Sequence, residues 1–268
     1  MKLALRLSLL AITAGCAWLF IQHPWWFPVG ASSQAAALDS QFRTAFLLLG
    51  ILFLVGQLLL AFFLGRPRDG RPSRGDWRLE TAWTVGLAAV FFWFNFSGGR
   101  LWSAMMMPMP ANATEEVQVE ITGAQFQWYF RYPGPDGVFG RVDAQKFARP
   151  EEGNPLGLDP ADPAGKDDFL SPMLVLPADR PAHLTLRAQD VVHSVFIPAM
   201  RFKQDTVPGM DIHAHFTPTK TGTYELACAE LCGLGHYRMQ AKVRVVGEEE
   251  FDRWLKSHRP SPEDRPQK

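Results

Sequence analysis

The sequence predicts a membrane helical hairpin, preceded by an apolar N-terminal helix or signal and followed by an all-β Greek-key sandwich. Three observations carry this. Two long, nearly uncharged apolar runs flank an arginine-rich segment between residues 42 and 104. Beyond residue 115 the chain changes to short alternating runs punctuated by Gly and Pro, the pattern of a sandwich. Residues 228–239 read C-A-E-L-C-G-L-G-H-Y-R-M and gather two thiols, an imidazole and a thioether into one loop.

Composition sets the outer bounds. The 268 residues suffice for one large domain or two small ones. Apolar residues make up 47% of the chain, with nine Trp and twenty Phe, which suits a protein partly in lipid. Lys plus Arg and Asp plus Glu both total 27, so no net field points to nucleic acid, and any charged partner must meet a local patch. Three cysteines are too few for a disulfide framework.

Residues 1–41 form the first region. Positions 3–22 are apolar behind Lys2 and Arg6, which fits a signal sequence or a retained membrane helix. I-T-A-G-C, ending at Cys16, approaches a lipoprotein cleavage site, but Thr13 stands where Leu is expected, so Cys16 reads as a small apolar residue within a helix. The stretch 23–40, with P-W-W-F-P, reads as an interfacial connector because Trp favours the headgroup region.

The hairpin occupies residues 42–104. Positions 42–64 carry only Arg43 as a charge and are long enough to cross a hydrocarbon core of about 30 Å. Positions 65–78 hold five Arg against two Asp, and positive loops stay in the cytoplasm. A second span, 79–102, is entered through Glu80, so everything after Arg100 is expected outside. The whole predicts a multi-pass protein of a bacterial-type inner membrane with a periplasmic domain.

That domain covers residues 105–247, after a Met-Pro linker at 105–110. Strands are expected at 117–121, 173–176, 182–186, 191–197, 212–216, 223–228 and 239–246. The polar, Pro/Gly-rich segment 141–171 reads as a long surface loop or insertion. Residues 248–268 begin acidic, form a short helix near 251–256, and end in a tail of disordered composition.

Soft sulfur ligands select copper, zinc or iron–sulfur centres, and a thioether beside Cys and His points to copper. The loop lacks a fourth strong ligand; His193, in the strand-like run V-V-H-S-V-F-I-P, supplies one. Two other readings compete, a Cys228–Cys232 disulfide and a tetrahedral zinc site of His193, Cys228, Cys232 and His236. Copper is preferred because neither competitor has a use for Met239.

The pattern H…C-x-E-x-C-G-x-x-H-x-x-M, from His193 to Met239, resembles the binuclear CuA site in subunit II of haem-copper cytochrome c oxidases. Three further stretches resemble the same family: E-T-A-W-T at 80–84, Q-W-Y-F at 127–130 with Phe130 in place of the usual Trp, and F-K-Q-D-T-V-P-G-M at 202–210. The resemblance implies a cupredoxin-like sandwich that binds two copper ions. Cys228 and Cys232 would bridge both ions, His193 and His236 would bind one each, and Met239 and the Glu230 carbonyl would be weak ligands. The Glu230 side chain would reach a magnesium ion shared with subunit I.

The resemblance also implies that Trp128 is a surface indole through which electrons enter from cytochrome c, and that Glu80 marks the entrance of a proton path into subunit I. Taken alone, Trp128 is an ordinary sheet aromatic and Glu80 a helix-start carboxylate beside the macrodipole. Asp136, Asp143, Glu151 and Glu152 are acidic candidates for docking a basic cytochrome c. His213 and His215 face one way on a strand and could chelate a metal, but are read as a solvated face.

The implied function is that of an electron-accepting subunit of cytochrome c oxidase, a proton-translocating oxidoreductase complex, with no complete active site on this chain alone. It would accept electrons from cytochrome c and pass them to haem in subunit I, where oxygen is reduced to water. Its partners would be subunit I, the other oxidase subunits and the lipid bilayer. The alternatives are the copper-containing subunit of a nitric oxide reductase, or a membrane-anchored copper-binding or delivery protein. A quinol oxidase subunit would lack the ligands, and a nitrous oxide reductase would carry a second catalytic domain. No C-x-x-C-H haem-attachment motif occurs, so the electron donor is a separate molecule.

Overall fold

Three apolar helices lead the chain: α1 (Lys2–Gln22), α2 (Ala35–Leu64) and α3 (Trp77–Met106). The computed structural model describes residues 2–22, 27–66, 75–106, 116–148 and 152–258. All three helices are long and apolar enough to cross a membrane, and nearly all of their surface is uncovered by protein. Such surface is stable only in a medium that does not hydrate it. The chain is thus anchored to a membrane. Pairing of α2 with α3 is helped by Gln41, whose Nε2 donates to Phe94 O and Ser97 Oγ, both at 3.4 Å.

Helix α2 starts at Ala35, two turns before the expected span, because A-A-A-L-D-S-Q has good helix formers and no Gly or Pro to stop it. The connector expected at 23–40 is therefore short. Residues 23–26 of it lie outside the described residues. Val29–Ala35 belongs to the β unit, where Ala31 N–H donates to Ala199 O (2.7 Å) and Ser32 Oγ to Met200 O (2.8 Å). At the start of α3, Asp76 accepts from Arg78 N–H at 2.9 Å, a carboxylate cap for the helix's unpaired donors. Glu80 sits in the first turn and is exposed.

The second unit is a sandwich of two five-stranded sheets. One runs β3 (Phe169–Ser171), β2 (Gln127–Tyr132), β1 (Val117–Ala124), β5 (Ala182–Ala188), β8 (Ile212–Phe216). The other runs β4 (Leu174–Pro177), β10 (Gln240–Val246), β9 (Gly222–Cys228), β6 (His193–Ile197), β7 (Phe202–Thr206). Two pairs, β1 with β5 and β4 with β10, are parallel; the others are antiparallel. The alternation that predicted the strands fills the space between the sheets: Val119, Ile121, Leu184, Leu186, Val195, Ile197, Leu226 and Val243 are all fully buried. Each such side chain contributes about 1.5–3 kcal/mol.

Strands β3 and β7 were not expected from alternation. The expected insertion contains β3 at its end. Buried Arg131 fixes the insertion onto the first sheet by reaching Glu120 Oε1 (3.1 Å), Asp168 Oδ2 (2.8 Å) and the Gly140 carbonyl. Burial pushes the Glu120 and Asp168 carboxyls above their usual range, outweighing the pull of Arg131. Tyr132 joins the two sheets: its hydroxyl donates to Val175 O (2.8 Å) and accepts from Val175 N–H (2.7 Å). The chain closes in α4 (Glu248–His258), whose Phe251 is buried and whose Trp254 lies 5.0 Å from Tyr132 between ring centroids. The expected linker from 107 and the tail from 259 lie outside the described residues, as does Glu151.

Candidate metal centre

The predicted ligands converge at one end of the second sheet, where β9 runs out at Cys228 and β6 begins at His193. Residues 229–239 form the loop back into β10. Two backbone bonds hold its ends: Cys228 N–H to Met239 O and Ala229 N–H to Ser194 O, each 3.0 Å. Inside the loop His236 N–H donates to Gly233 O (3.1 Å) and Met239 N–H to His236 O (3.1 Å), winding a short 3-10 turn over His236–Arg238. Gly235 is needed because a Cβ there would lie 2.4 Å from the Phe126 ring. Gln125 Nε2 donates to Cys232 O and fixes the loop against the β1–β2 turn.

The ligand atoms of His193, Cys228 and Cys232 lie within 4.8 Å of one another, and all three residues are buried. The sulfurs are 3.9 Å apart, far beyond a disulfide bond length of about 2.05 Å, and both thiols are free. Each sulfur has its own histidine: Cys228 Sγ is 4.0 Å from His193 Nδ1, and Cys232 Sγ is 3.6 Å from His236 Nδ1. Met239 Sδ lies 3.8 Å from Cys232 Sγ, and the Glu230 carbonyl oxygen 3.2 Å from Cys228 Sγ. The structure thus brings together His193, Cys228, Cys232, His236, Met239 and the Glu230 backbone. The Glu230 side chain is exposed.

His193 is held by its other nitrogen. Nε2 is 2.8 Å from Asp190 Oδ1, which leaves Nδ1 facing the sulfurs with its lone pair. Burial alone would raise the Asp190 pKa, but hydrogen bonds from Gln125 N–H, His193 and Val191 N–H hold its carboxyl below the usual range. Gly123 makes room on the ring's other side, since a Cβ there would come within 3.0 Å of both His193 and Trp128. Burial, and next the neighbouring Cys228, push the Cys232 thiol up to about 11. A buried thiol that resists ionisation beside a second sulfur suits a cationic guest that supplies the missing positive charge.

Trp128 corrects the sequence expectation. It was expected as a surface indole and is only 7% exposed, edge-on to His193 with ring centroids 5.9 Å apart. The reason is the two-residue period: Trp128, Phe130 and Tyr132 share the buried face of β2. The apolar surface over the centre instead comes from the ligand loop, where Leu231, Leu234 and Tyr237 are 80%, 96% and 72% exposed. The motif already carried this signal, in three large residues placed between ligands.

Comparison with known proteins gives one answer. The family described as cytochrome c oxidase subunit II, periplasmic domain, matches residues 117–246, the whole sandwich. The alternative cytochrome c oxidase subunit 2 of Bradyrhizobium diazoefficiens is 35% identical, over 96% of this chain and 92% of its own length. Cytochrome c oxidase subunit 2 of Thermostichus vulcanus is 29% identical over 94% and 85%. A solved periplasmic domain of cytochrome oxidase subunit II from Bradyrhizobium japonicum is 28% identical, covers 54% of this chain and 94% of its own, and superposes with a TM-score of 0.39. With identity running the length of both chains and the matched domain enclosing the thiol pair, the chain belongs to the cytochrome c oxidase subunit II family.

Proposed function

We propose that the chain is the subunit through which electrons enter a haem-copper oxidase, receiving them from a cytochrome c and delivering them to haem in subunit I for the reduction of oxygen to water. The observation that carries this is the arrangement of two thiols with one histidine each. A single tetrahedral ion with bonds of about 2.0–2.3 Å needs its four ligand atoms within about 3.8 Å of one another. The sulfurs are 3.9 Å apart and each lies beside a different imidazole, Cys228 at 4.0 Å from His193 and Cys232 at 3.6 Å from His236, a spread that favours two ions over one. The donor set fits copper: Cys228, Cys232, His193, His236, Met239 and the Glu230 carbonyl would hold the two ions.

Such a pair of copper ions supplies a one-electron couple whose charge is spread over two metals. The chain's own residues keep its surroundings fixed. Asp190 holds the His193 ring, the backbone bonds at Cys228 and Ala229 pin the loop, and burial of Cys228, Cys232 and Met239 keeps water from the sulfurs. Ligands that hardly move need little reorganisation on each transfer. Membership of the family supports a place beside subunit I in a bacterial inner membrane, spanned more than once, with the sandwich on the periplasmic side. On the same reading, exposed Glu230 offers a hard oxygen ligand to a magnesium ion shared with subunit I, Glu80 lies at the entrance of its proton path, and Trp128 relays electrons from within the sandwich.

The test is copper-loaded full-length chain in detergent. Two copper ions per chain and a mixed-valence hyperfine pattern in electron paramagnetic resonance are expected. One copper per chain, or retention of zinc alone, overturns the reading.

A further inference from the structure

A second set of metal-ligating side chains lies on the outer face of the first sheet, away from the thiol pair. His183 on β5 and His213 on β8 stand two residues off the direct register, in which His183 faces His215 and Thr185 faces His213. Residues so placed project to the same side. The His183 Nε2 and His213 Nδ1 atoms are 3.2 Å apart, with the rings nearly perpendicular at 87°. Thr185 Oγ1 lies 3.4 Å from the same His213 nitrogen. The outer nitrogen of His183, Nδ1, is 3.3 Å from the carboxylate of Glu116, which is largely buried.

We propose that His183 and His213 bind a divalent first-row transition-metal ion of the kind imidazoles take, with Zn²⁺ as the probe. Two nitrogens 3.2 Å apart, each about 2.0–2.1 Å from an ion, subtend about 100–106° at it, close to tetrahedral. Glu116 supplies the supporting contact such sites use. A carboxylate that accepts from Nδ1–H makes Nε2 of His183 the lone-pair nitrogen and orients it. The metal-free pair is joined by an N–H···N hydrogen bond, with the shared proton on His213 Nδ1. On binding, His213 releases the Nδ1 proton to solvent and takes one up from solvent at Nε2, so the ring stays neutral and both facing nitrogens become electron-pair donors to the ion. His215, directly opposite His183, brings a third imidazole to the same face, and water completes the shell.

The ion would tie β8, the edge strand of its sheet, to β5. An edge strand has one neighbour, so a cross-strand ligand pair adds a restraint where the ladder supplies half of what an inner strand receives.

The test uses full-length chain in detergent with copper loaded at the thiol centre, titrated with Zn²⁺ against a chelating indicator. One Zn²⁺ per chain is expected. His183→Ala and His213→Ala should each weaken it more than tenfold, and Glu116→Gln about 10–100-fold. The copper spectrum should stay unchanged in all three, which verifies that the sandwich is intact. Zn²⁺ should also raise the thermal midpoint of the parent and not that of His213→Ala. Equal Zn²⁺ affinity in the parent and both histidine variants overturns the proposal. So does zinc uptake that is lost in Cys228→Ser rather than in the histidine variants, because the ion is then at the thiol centre. The first result leaves the copper reading untouched, and the second is told apart from it by the copper spectrum, which zinc at the thiol centre would diminish.

Discussion

Replacing Asp190 separates the ligands from the residue that aims one of them. Its Oδ1 takes the His193 Nε2–H at 2.8 Å and the Val191 N–H at 2.7 Å, while Oδ2 takes the Gln125 N–H at 2.7 Å. A hydrogen bond to a charged acceptor contributes about 1.5–3 kcal/mol. At about 1.4 kcal/mol per factor of ten, loss of the His193 contact should weaken copper retention about 10–100-fold, the range expected when a supporting contact to a metal-binding histidine is removed. Asp190→Ala removes all three contacts and should fall at the upper end. Asp190→Asn keeps one acceptor oxygen for three donors, so it should fall nearer tenfold. Full-length chain in detergent, copper-loaded and challenged with a graded chelator, gives the ratio directly, with circular dichroism as a check on the sheets. Copper retention equal to the parent's in both variants would refute the reasoning. The ring would then be held by its fit against Gly123 and Trp128 alone.

The other perturbations test different layers of the same region. Cys228→Ser should abolish the mixed-valence signal, whereas Met239→Leu should keep both copper ions and shift the potential, since a weak thioether chiefly tunes it; equal metal loss in the two would contradict that ranking. Trp128→Ala should open a cavity beside His193, cost about 3–5 kcal/mol in denaturant unfolding and alter the copper spectrum, while Leu234→Asp on the exposed loop should slow reduction by cytochrome c and leave the spectrum unchanged. Stopped-flow reduction of each variant decides the matter, and a parental rate in Leu234→Asp removes the loop from the docking surface. In the insertion, Asp159 is held below its usual pKa by Lys146 (2.6 Å) and Asp162 by the Arg141 N–H (2.8 Å). Their contribution is complete above the ordinary carboxylate value of about 4 and is lost as pH falls through their depressed values. Amide-exchange protection over 141–166 should therefore drop below that pH, and protection unchanged down to pH 2 would assign the loop's order to Arg131 instead.

What the sequence made legible followed from periods and from ligand chemistry. Runs of apolar residues set the three helices, and two-residue alternation set β5, β8, β9 and β10 to within two residues, because those strands have one face in the core and the other more exposed; β1 runs three residues further than expected, to Ala124, and is buried on both faces beyond Gln118. Strand β7, F-K-Q-D-T, escaped. Its Gln204 and Asp205 are half-buried and its order comes from pairing with β6, a partner that no local pattern reveals. The insertion escaped for a similar reason. Arg131, Glu120 and Asp168 are charged residues in strand-like or loop-like settings, and only their burial as a group shows what they fix.

The centre itself divides in the same way. Ligand identity is local chemistry, so Cys228, Cys232, His236 and Met239 were readable from twelve consecutive residues, and His193 from a strand run. Ligand support is tertiary. Asp190, only three residues from His193, gains its meaning from Oδ2 closing the β1–β2 turn through Gln125 N–H, which couples the ring to a loop 65 residues away. Trp128 shows how far local pattern alone could have gone: alternation with Phe130 and Tyr132 already places its side chain on the core face, so the period argued for burial where the family likeness argued for exposure. An indole inside the sandwich and in edge contact with His193 acts on the ring as a packing wall. Leu234, 96% exposed in the ligand loop against 7% for Trp128, offers a solvent-borne partner the larger apolar surface, which is why its replacement is the test of docking.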